Sequence, residues 1–210
     1  MYTPRHFQES REAALAALIR AHPLATVVLS GANGLSANHV PLELAGESAL
    51  HGHVARANEL VAADGAQVLV IFQGADGYIS PNWYPSKQLT HREVPTWNYS
   101  VVHVHGRLRV IDDRDWLLAL LHRLTNRHEA SEPAPWSVSD APADHVEKLL
   151  KAIVGIEIVI DRIEGKFKLS QNHPAANQAG AVDGLRRRAQ GQDLDLAIQM
   201  SKTRDDADGA

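Results

Sequence analysis

The sequence predicts a mainly β protein with flanking helices, an α+β class in which short antiparallel strands form a closed or split β-barrel. Three observations predict it. The stretch Tyr99 to Ile111 alternates, with Val102, Val104, Leu108 and Val110 on one side and His103, His105, Arg107 and Arg109 on the other. That period of two is the pattern of a half-buried strand. Short β-type runs separated by Gly- and Asn-bearing turns fill much of the first eighty residues. The early strands lack the regular strand–helix alternation that a doubly wound sheet requires.

Taken in order, Gln8 to His22 reads as a helix with Leu15, Leu18 and Ile19 at helical spacing, ended by Pro23. Ala25 to Ser30 is a strand, Gly31-Ala32-Asn33-Gly34 a turn, and Leu35 to Leu44 the returning strand of a hairpin. A second turn at 45–48 leads into Ala49 to Val54, and Ala55 to Ala63 turns helical. Gln67 to Phe72 is apolar at nearly every position and is expected to be buried on both faces. Gly74 to Gly77 reads as a turn, Tyr78 to Trp83 as a short strand interrupted by Pro81, and Tyr84 to Glu93 as a loop.

After the central strand, Asp112 or Asp113 caps a helix to about Arg127, with Trp116, Leu117, Leu120, Leu121 and Leu124 as its apolar face. A loop over 129–139 precedes an amphipathic helix from Pro142 to Ile153. Gly155 to Asp161 and Lys166 to Ser170 read as two strands parted at Ile163-Glu164-Gly165, and short helices follow around Gly184 to Lys202. The expected organisation is a barrel domain over 1–175, a helical extension over 176–202 and a disordered tail over 203–210.

Length and composition bound the function. A chain of 210 residues can bury one sizeable core or two small ones. It has no cysteine, which excludes disulfides, thiolate metal sites, iron–sulfur clusters and cysteine nucleophiles. No apolar run approaches the roughly 20 residues of a membrane span, and MYTPRHFQES has no apolar signal region, so a cytoplasmic protein is expected. The formal net charge of −4 is unlike that of a dedicated DNA-binding domain. The only dense basic run, Arg186-Arg187-Arg188, could touch nucleic acid but is more often the solvated side of a helix.

Several residue groups carry chemistry, each with a plainer alternative. His51 and His53, and likewise His103 and His105, put two imidazoles on one strand face. Two such pairs on adjacent strands offer a divalent metal site, although no suitably spaced carboxylate joins either pair; the alternative is a polar strand face. Arg56 and Asn58 follow His53 where a strand meets a helix, a place suited to phosphate by charge and free N–H groups. Alternatively, Asn58 only caps and Arg56 is a surface charge. Ser80, in Tyr78-Ile79-Ser80-Pro81-Asn82-Trp83-Tyr84, sits where proline predicts an edge or bulge. Thr96, Trp97, Asn98 and Tyr99 form a polar and aromatic cluster suited to a flat ligand. Lys166, Lys168 and Ser170 share a strand face, suited to a phosphate or an electron-rich ring, or else simply a solvated edge, which is the reading given to Lys168. Dinucleotide, Walker, HExxH and GxSxG motifs are absent from the sequence.

Six segments together resemble a known family. They are NHVPLEL at 38–44, LHGHVARAN at 50–58, YISPNWY at 78–84, VPTWNY at 94–99, VHGRLRVI at 104–111 and FKLSQNHP at 167–174, after an N-terminal MYTPRHF. In this order they are similar to the PaiB-type FMN-binding negative transcriptional regulators, over residues 1 to about 202. The resemblance implies an FMN-binding split β-barrel that forms a homodimer, with flavin near the subunit interface. It implies that Arg56 and Asn58, with Lys166, hold the FMN phosphate. It also implies that Thr96, Trp97 and Asn98 line the isoalloxazine or the interface, with His53 and Ser80 as secondary contacts. The family label brings transcriptional repression, while charge and motifs give no support to direct DNA contact. Two classes of function stay open. One is flavin-linked regulation; the other is an FMN-dependent oxidoreductase, of flavin-reductase, pyridoxamine-phosphate-oxidase-like or haem-degrading type. Beside these two stands a third and weaker class, a metal-binding barrel using the histidine pairs.

Overall fold

The computed structural model describes residues 1–31 and 34–208. Its strands are β1 (Gln8–Glu9), β2 (Leu24–Gly31), β3 (Gly34–Pro41), β4 (Glu43–Ala45), β5 (Ala49–Ala55), β6 (Gln67–Ile79), β7 (Thr96–Ile111) and β8 (Ile153–Lys168). Its helices are α1 (Glu12–Ala21), α2 (Pro85–Thr90), α3 (Arg114–Glu129), α4 (Ala143–Leu150), α5 (Ala175–Arg188) and α6 (Asp193–Asp208). The eight strands form one antiparallel sheet in the order β3-β2-β6-β7-β8-β5-β4, with β1 paired to β8.

The chain divides into two compact units. Unit 1 comprises Met1–Leu18, Gln73–Val102 and Glu164–Ala210; unit 2 comprises Ile19–Phe72 and His103–Ile163. In unit 2 the β2–β3 hairpin pairs from Leu24↔Pro41 to Gly31↔Gly34, and β5 pairs with β8 from Ala49↔Val159 to Ala55↔Ile153. Of the turn expected over 31–34, Ala32 and Asn33 lie outside the described residues. Asp113 caps α3 by accepting from Trp116 N at 2.8 Å. The helix then buries Leu117 and Leu120 with Leu150 of α4, and Trp116, Leu121, Leu124 and Val146 pack around them. Each such leucine contributes about 1.5–3 kcal/mol by leaving water. In unit 1, α5 and α6 pack together around Ala181, Val182, Leu185, Leu196 and Met200.

Several elements differ from expectation, each for a visible reason. Gly74 to Gly77 is not a turn, because β6 runs unbroken from Gln67 to Ile79. A Cβ at Gly74 would stand 2.2 Å from Ser100 Oγ, so this glycine admits a neighbour rather than reversing the chain. Ile163-Glu164-Gly165 likewise lies inside the single strand β8. Gly165 makes room for Glu9, whose carbonyl would be 2.8 Å from an added Cβ. That close pairing draws Gln8 and Glu9 into β1, so the first helix starts only at Glu12.

The expected helix over Ala55 to Ala63 shrinks to a 3-10 turn at Glu59–Ala63, and the loop over 84–93 contains α2. The strand over Leu35 to Leu44 breaks at Leu42, which is fully buried and donates its N–H to Pro23 O. In 67–72 only Val68, Val70 and Phe72 are buried, while Leu69 and Ile71 are half-buried. The last helix begins at Asp193 and continues to Asp208, beyond Lys202; residues 209–210 lie outside the described residues.

Candidate functional site

In unit 1 the start of β7 and the end of β8 build one surface. Lys168 reaches across to the first residues of β7, where its Nζ donates to Thr96 Oγ1 at 2.5 Å and to the Trp97 carbonyl. The Phe7 ring lies 5.9 Å from the same ammonium. Two positions back on the same strand face, Lys166 Nζ donates to Tyr2 O at 3.1 Å. It stands 5.8 Å from the Tyr2 ring and 5.3 Å from the Tyr99 ring, within cation–π range. Burial, and then the neighbouring Lys166 charge, hold Lys168 below the ordinary lysine pKa.

Among the described residues neither ammonium has a carboxylate partner. The nearby segments do carry acids, but these are engaged elsewhere. Glu9 is bound by Arg11, and Glu164 lies 3.2 Å from the N-terminal ammonium. Beside the lysines, Trp97 is 55% exposed and Tyr78 37% exposed, and their rings meet edge to face at 6.2 Å. Exposed aromatic rings and cations without carboxylate partners among the described residues, carried on the same strand ends, suit a flat anionic molecule.

A buried network holds this surface from beneath. Asn98 is fully buried, donates to Ser170 Oγ at 2.8 Å and leaves its Oδ1 without a partner. Ser170 takes a left-handed backbone at φ +66° and meets the Tyr84 hydroxyl at 3.4 Å. Tyr84 stacks on His173 at 4.7 Å. Beyond it, Asn177 Nδ2 donates to Ser86 Oγ at 2.7 Å, and Ser86 Oγ donates to Glu93 Oε1 at 2.5 Å. The segments 78–84, 94–99 and 167–174 thus converge. Asn98 supports the surface instead of lining it, and Ser80 caps the 3-10 turn Pro81–Trp83 by accepting from Asn82 N at 3.2 Å.

The remaining predicted residues lie in unit 2. Arg56 gives both terminal nitrogens to Asp112 at 2.8 Å and also donates to the carbonyls of Lys151 and Ile153. Asn58 caps the Glu59–Ala63 turn through Leu60 N at 2.9 Å and donates to Asn38 at 3.1 Å. Arg56 also borders a cavity of about 230 Å³ lined by Asp112, Asp113, Arg114, Leu117, Glu147, Leu150 and Lys151.

His51 and His53 share one face of β5, and both Nδ1 atoms are buried without a partner. His51 Nε2 lies 3.1 Å from Glu157, whose other oxygen accepts from Arg109 at 3.2 Å. Burial holds His53 below the usual imidazole pKa. The pairs His51/His53 and His103/His105 are not on adjacent strands, because β8 lies between β5 and β7. Two strand spacings, roughly 10 Å, keep the four imidazoles from one coordination sphere. His105 also has the Arg162 guanidinium at 3.2 Å, a cation that disfavours a second one.

Sequence reasoning placed Thr96, Trp97 and Lys166 in the assembled surface and left out Lys168, Tyr78, Tyr2 and Phe7. Lys-x-Lys on a strand was visible. Its juxtaposition with the N-terminal segment was not, since that depends on the β1–β8 pairing.

Comparison with known proteins follows the same direction. Residues 1–162 match the family model described as "Putative FMN-binding domain". The chain is 38% identical over 158 residues to Saccharomyces cerevisiae protein YKL070W, covering 63% of this chain and 93% of that one. It is 28% identical over 211 residues to the Bacillus subtilis protease synthase and sporulation protein PAI 2, covering 98% and 97% of the two chains. Among solved structures, the FAD and heme binding protein from Mycobacterium smegmatis superposes with a TM-score of 0.61 at 21% identity, over 83% of this chain and 79% of that one. That likeness shows the fold, of the split-barrel class expected from the sequence. Among the described residues no helix is long and apolar enough to cross a membrane.

Proposed function

The chain belongs to the FMN-binding domain family, and from that premise we propose that it is a flavin-responsive regulator holding FMN on the lysine–aromatic surface of unit 1. One observation carries the placement: among the described residues Lys166 and Lys168 have no carboxylate partner, and Lys168 bonds the carbonyl of Trp97, whose exposed ring meets that of Tyr78. The donor set fits a flavin. Trp97 and Tyr78 offer faces and edges to a flat ring, Lys168 and Lys166 offer positive charge, and Thr96 fixes the Lys168 ammonium in place. When bound, the flavin supplies two-electron redox chemistry, while the protein orients it and sets the charge around it.

The second donor set, Arg56 with Asn58 in unit 2, is proposed as an anion-binding element on the same chemical ground. It becomes available to a phosphate when Asp112 yields the guanidinium. The regulatory part of the reading is supported by the near full-length similarity to the sporulation protein PAI 2. As part of it, the chain acts as a homodimer in the cytoplasm, with the flavin near the subunit interface.

The experiment is an FMN titration of the purified protein, followed by two assays on the flavin-loaded form. Binding to a specific promoter fragment or protein partner that changes with flavin occupancy, without NAD(P)H turnover, supports the regulator. Sustained NAD(P)H turnover replaces it with an FMN-dependent oxidoreductase.

A further inference from the structure

A regulator that responds to flavin needs a property of the flavin to respond to, and the charges of unit 1 select one. Lys168 is half-buried and held by two neutral acceptors, the Thr96 hydroxyl and the Trp97 carbonyl. Lys166 adds a second ammonium on the same strand face. The carboxylates of the adjoining segments, Glu9 and Glu164, are drawn to Arg11 and to the N-terminal ammonium. Among the described residues the surface therefore carries positive charge without a carboxylate partner, and Lys168 is held by the carbonyl of Trp97, whose exposed ring meets Tyr78.

Resting on the flavin reading above, we infer that Lys168, backed by Lys166, stabilises the negative charge that a flavin ring acquires on reduction, so that the protein binds reduced flavin more tightly than oxidised flavin. Oxidised isoalloxazine is neutral. Reduction by a two-electron donor such as dithionite or a reduced nicotinamide adds two electrons and one proton, which goes to N5. The remaining negative charge spreads over N1 and the C2 carbonyl. An ammonium within about 4–6 Å of an anion stabilises it by about one to three pKa units, each worth tenfold. Occupancy then reports the reducing state of the flavin pool, a signal that FMN concentration alone does not carry.

The test compares affinities for FMN and dithionite-reduced FMN under anaerobic conditions at neutral to mildly alkaline pH. The expected result is about tenfold tighter binding of the reduced form, falling to within about twofold in Lys168→Met. A second readout is the ultraviolet–visible titration of N1 in the bound reduced flavin. Its pKa is expected about one unit below that of free reduced FMN, and to move back in Lys168→Met. Equal affinities for the two forms, with an unshifted N1, overturn the inference and leave the flavin site standing. If Lys168→Met binds too weakly to titrate, the N1 titration of the unmodified protein decides alone. Absence of saturable binding by either form overturns the flavin reading itself.

Discussion

Lys168 Nζ donates to Thr96 Oγ1 at 2.5 Å, so a half-buried cation near the end of β8 is fixed to the first residue of β7. The pairing aims the ammonium along the surface that carries Trp97. Thr96→Val keeps the shape of the side chain and removes the acceptor. We expect it to weaken FMN binding severalfold with little change in melting temperature, measured by flavin fluorescence and thermal denaturation. An unchanged affinity would show that Thr96 does not position the ammonium.

Arg56 and Asp112 form a two-pronged ion pair, so a phosphate at Arg56 competes with that carboxylate. Asp112→Asn removes the competing charge at nearly constant shape. The expected outcome is severalfold tighter binding of inorganic phosphate in Asp112→Asn and weaker binding in Arg56→Ala. Identical titration curves for both variants and the parent would leave Arg56 with the ion pair alone.

His53 titrates below the usual imidazole range because burial disfavours its charged form. The unfolded chain takes up this proton near pH ~6.5. Below that value the unfolded state binds a proton that the folded state resists, so stability falls as the medium is acidified; above it His53 has no effect. Urea unfolding at neutral pH and at about pH 5.5 should therefore show a larger loss in the parent than in His53→Gln. Equal losses would exclude His53 as a source of the acid sensitivity.

Gly184 packs its Cα against the indole of Trp83, where an added Cβ would lie 2.1 Å from Cδ2. One turn further along α5, the Arg188 guanidinium stands 5.0 Å from the same ring centroid and is itself bound to Asp193, so the indole is held by a second contact from this helix. Gly184→Ala is expected to cost about 1–3 kcal/mol, as overpacking does. Chemical denaturation of the variant measures it directly, and a neutral effect would mean that α5 can shift without loss.

Much of the architecture was legible because period-two alternation survives in the sequence where one strand face is wet. Tyr99 to Ile111 shows this, with Val102, Val104 and Leu108 buried and Arg107 and Arg109 exposed. Glycine was the main source of error. At Gly74 and Gly165 it serves close approach inside long strands, and local sequence does not distinguish that use from a turn. The site was half legible for a related reason. Thr96, Trp97 and Lys166 announce themselves by residue type, whereas Lys168 gains its meaning only when β8 is laid beside β7 and the N-terminal segment. Asn98 resembled a ligand contact in the sequence, yet its amide is spent inward on Ser170.

The central claim is that the lysine–aromatic surface of unit 1 holds the flavin. Equilibrium titration of FMN into the unmodified protein, Lys168→Met and Trp97→Ala, followed by flavin fluorescence, tests it most directly. The account predicts saturable binding to the unmodified protein, at least about tenfold weaker binding in Trp97→Ala, and a smaller, severalfold loss in Lys168→Met, whose ammonium faces a neutral ring in the oxidised form. Binding that is unaffected by both substitutions, or no saturable binding at all, would contradict it.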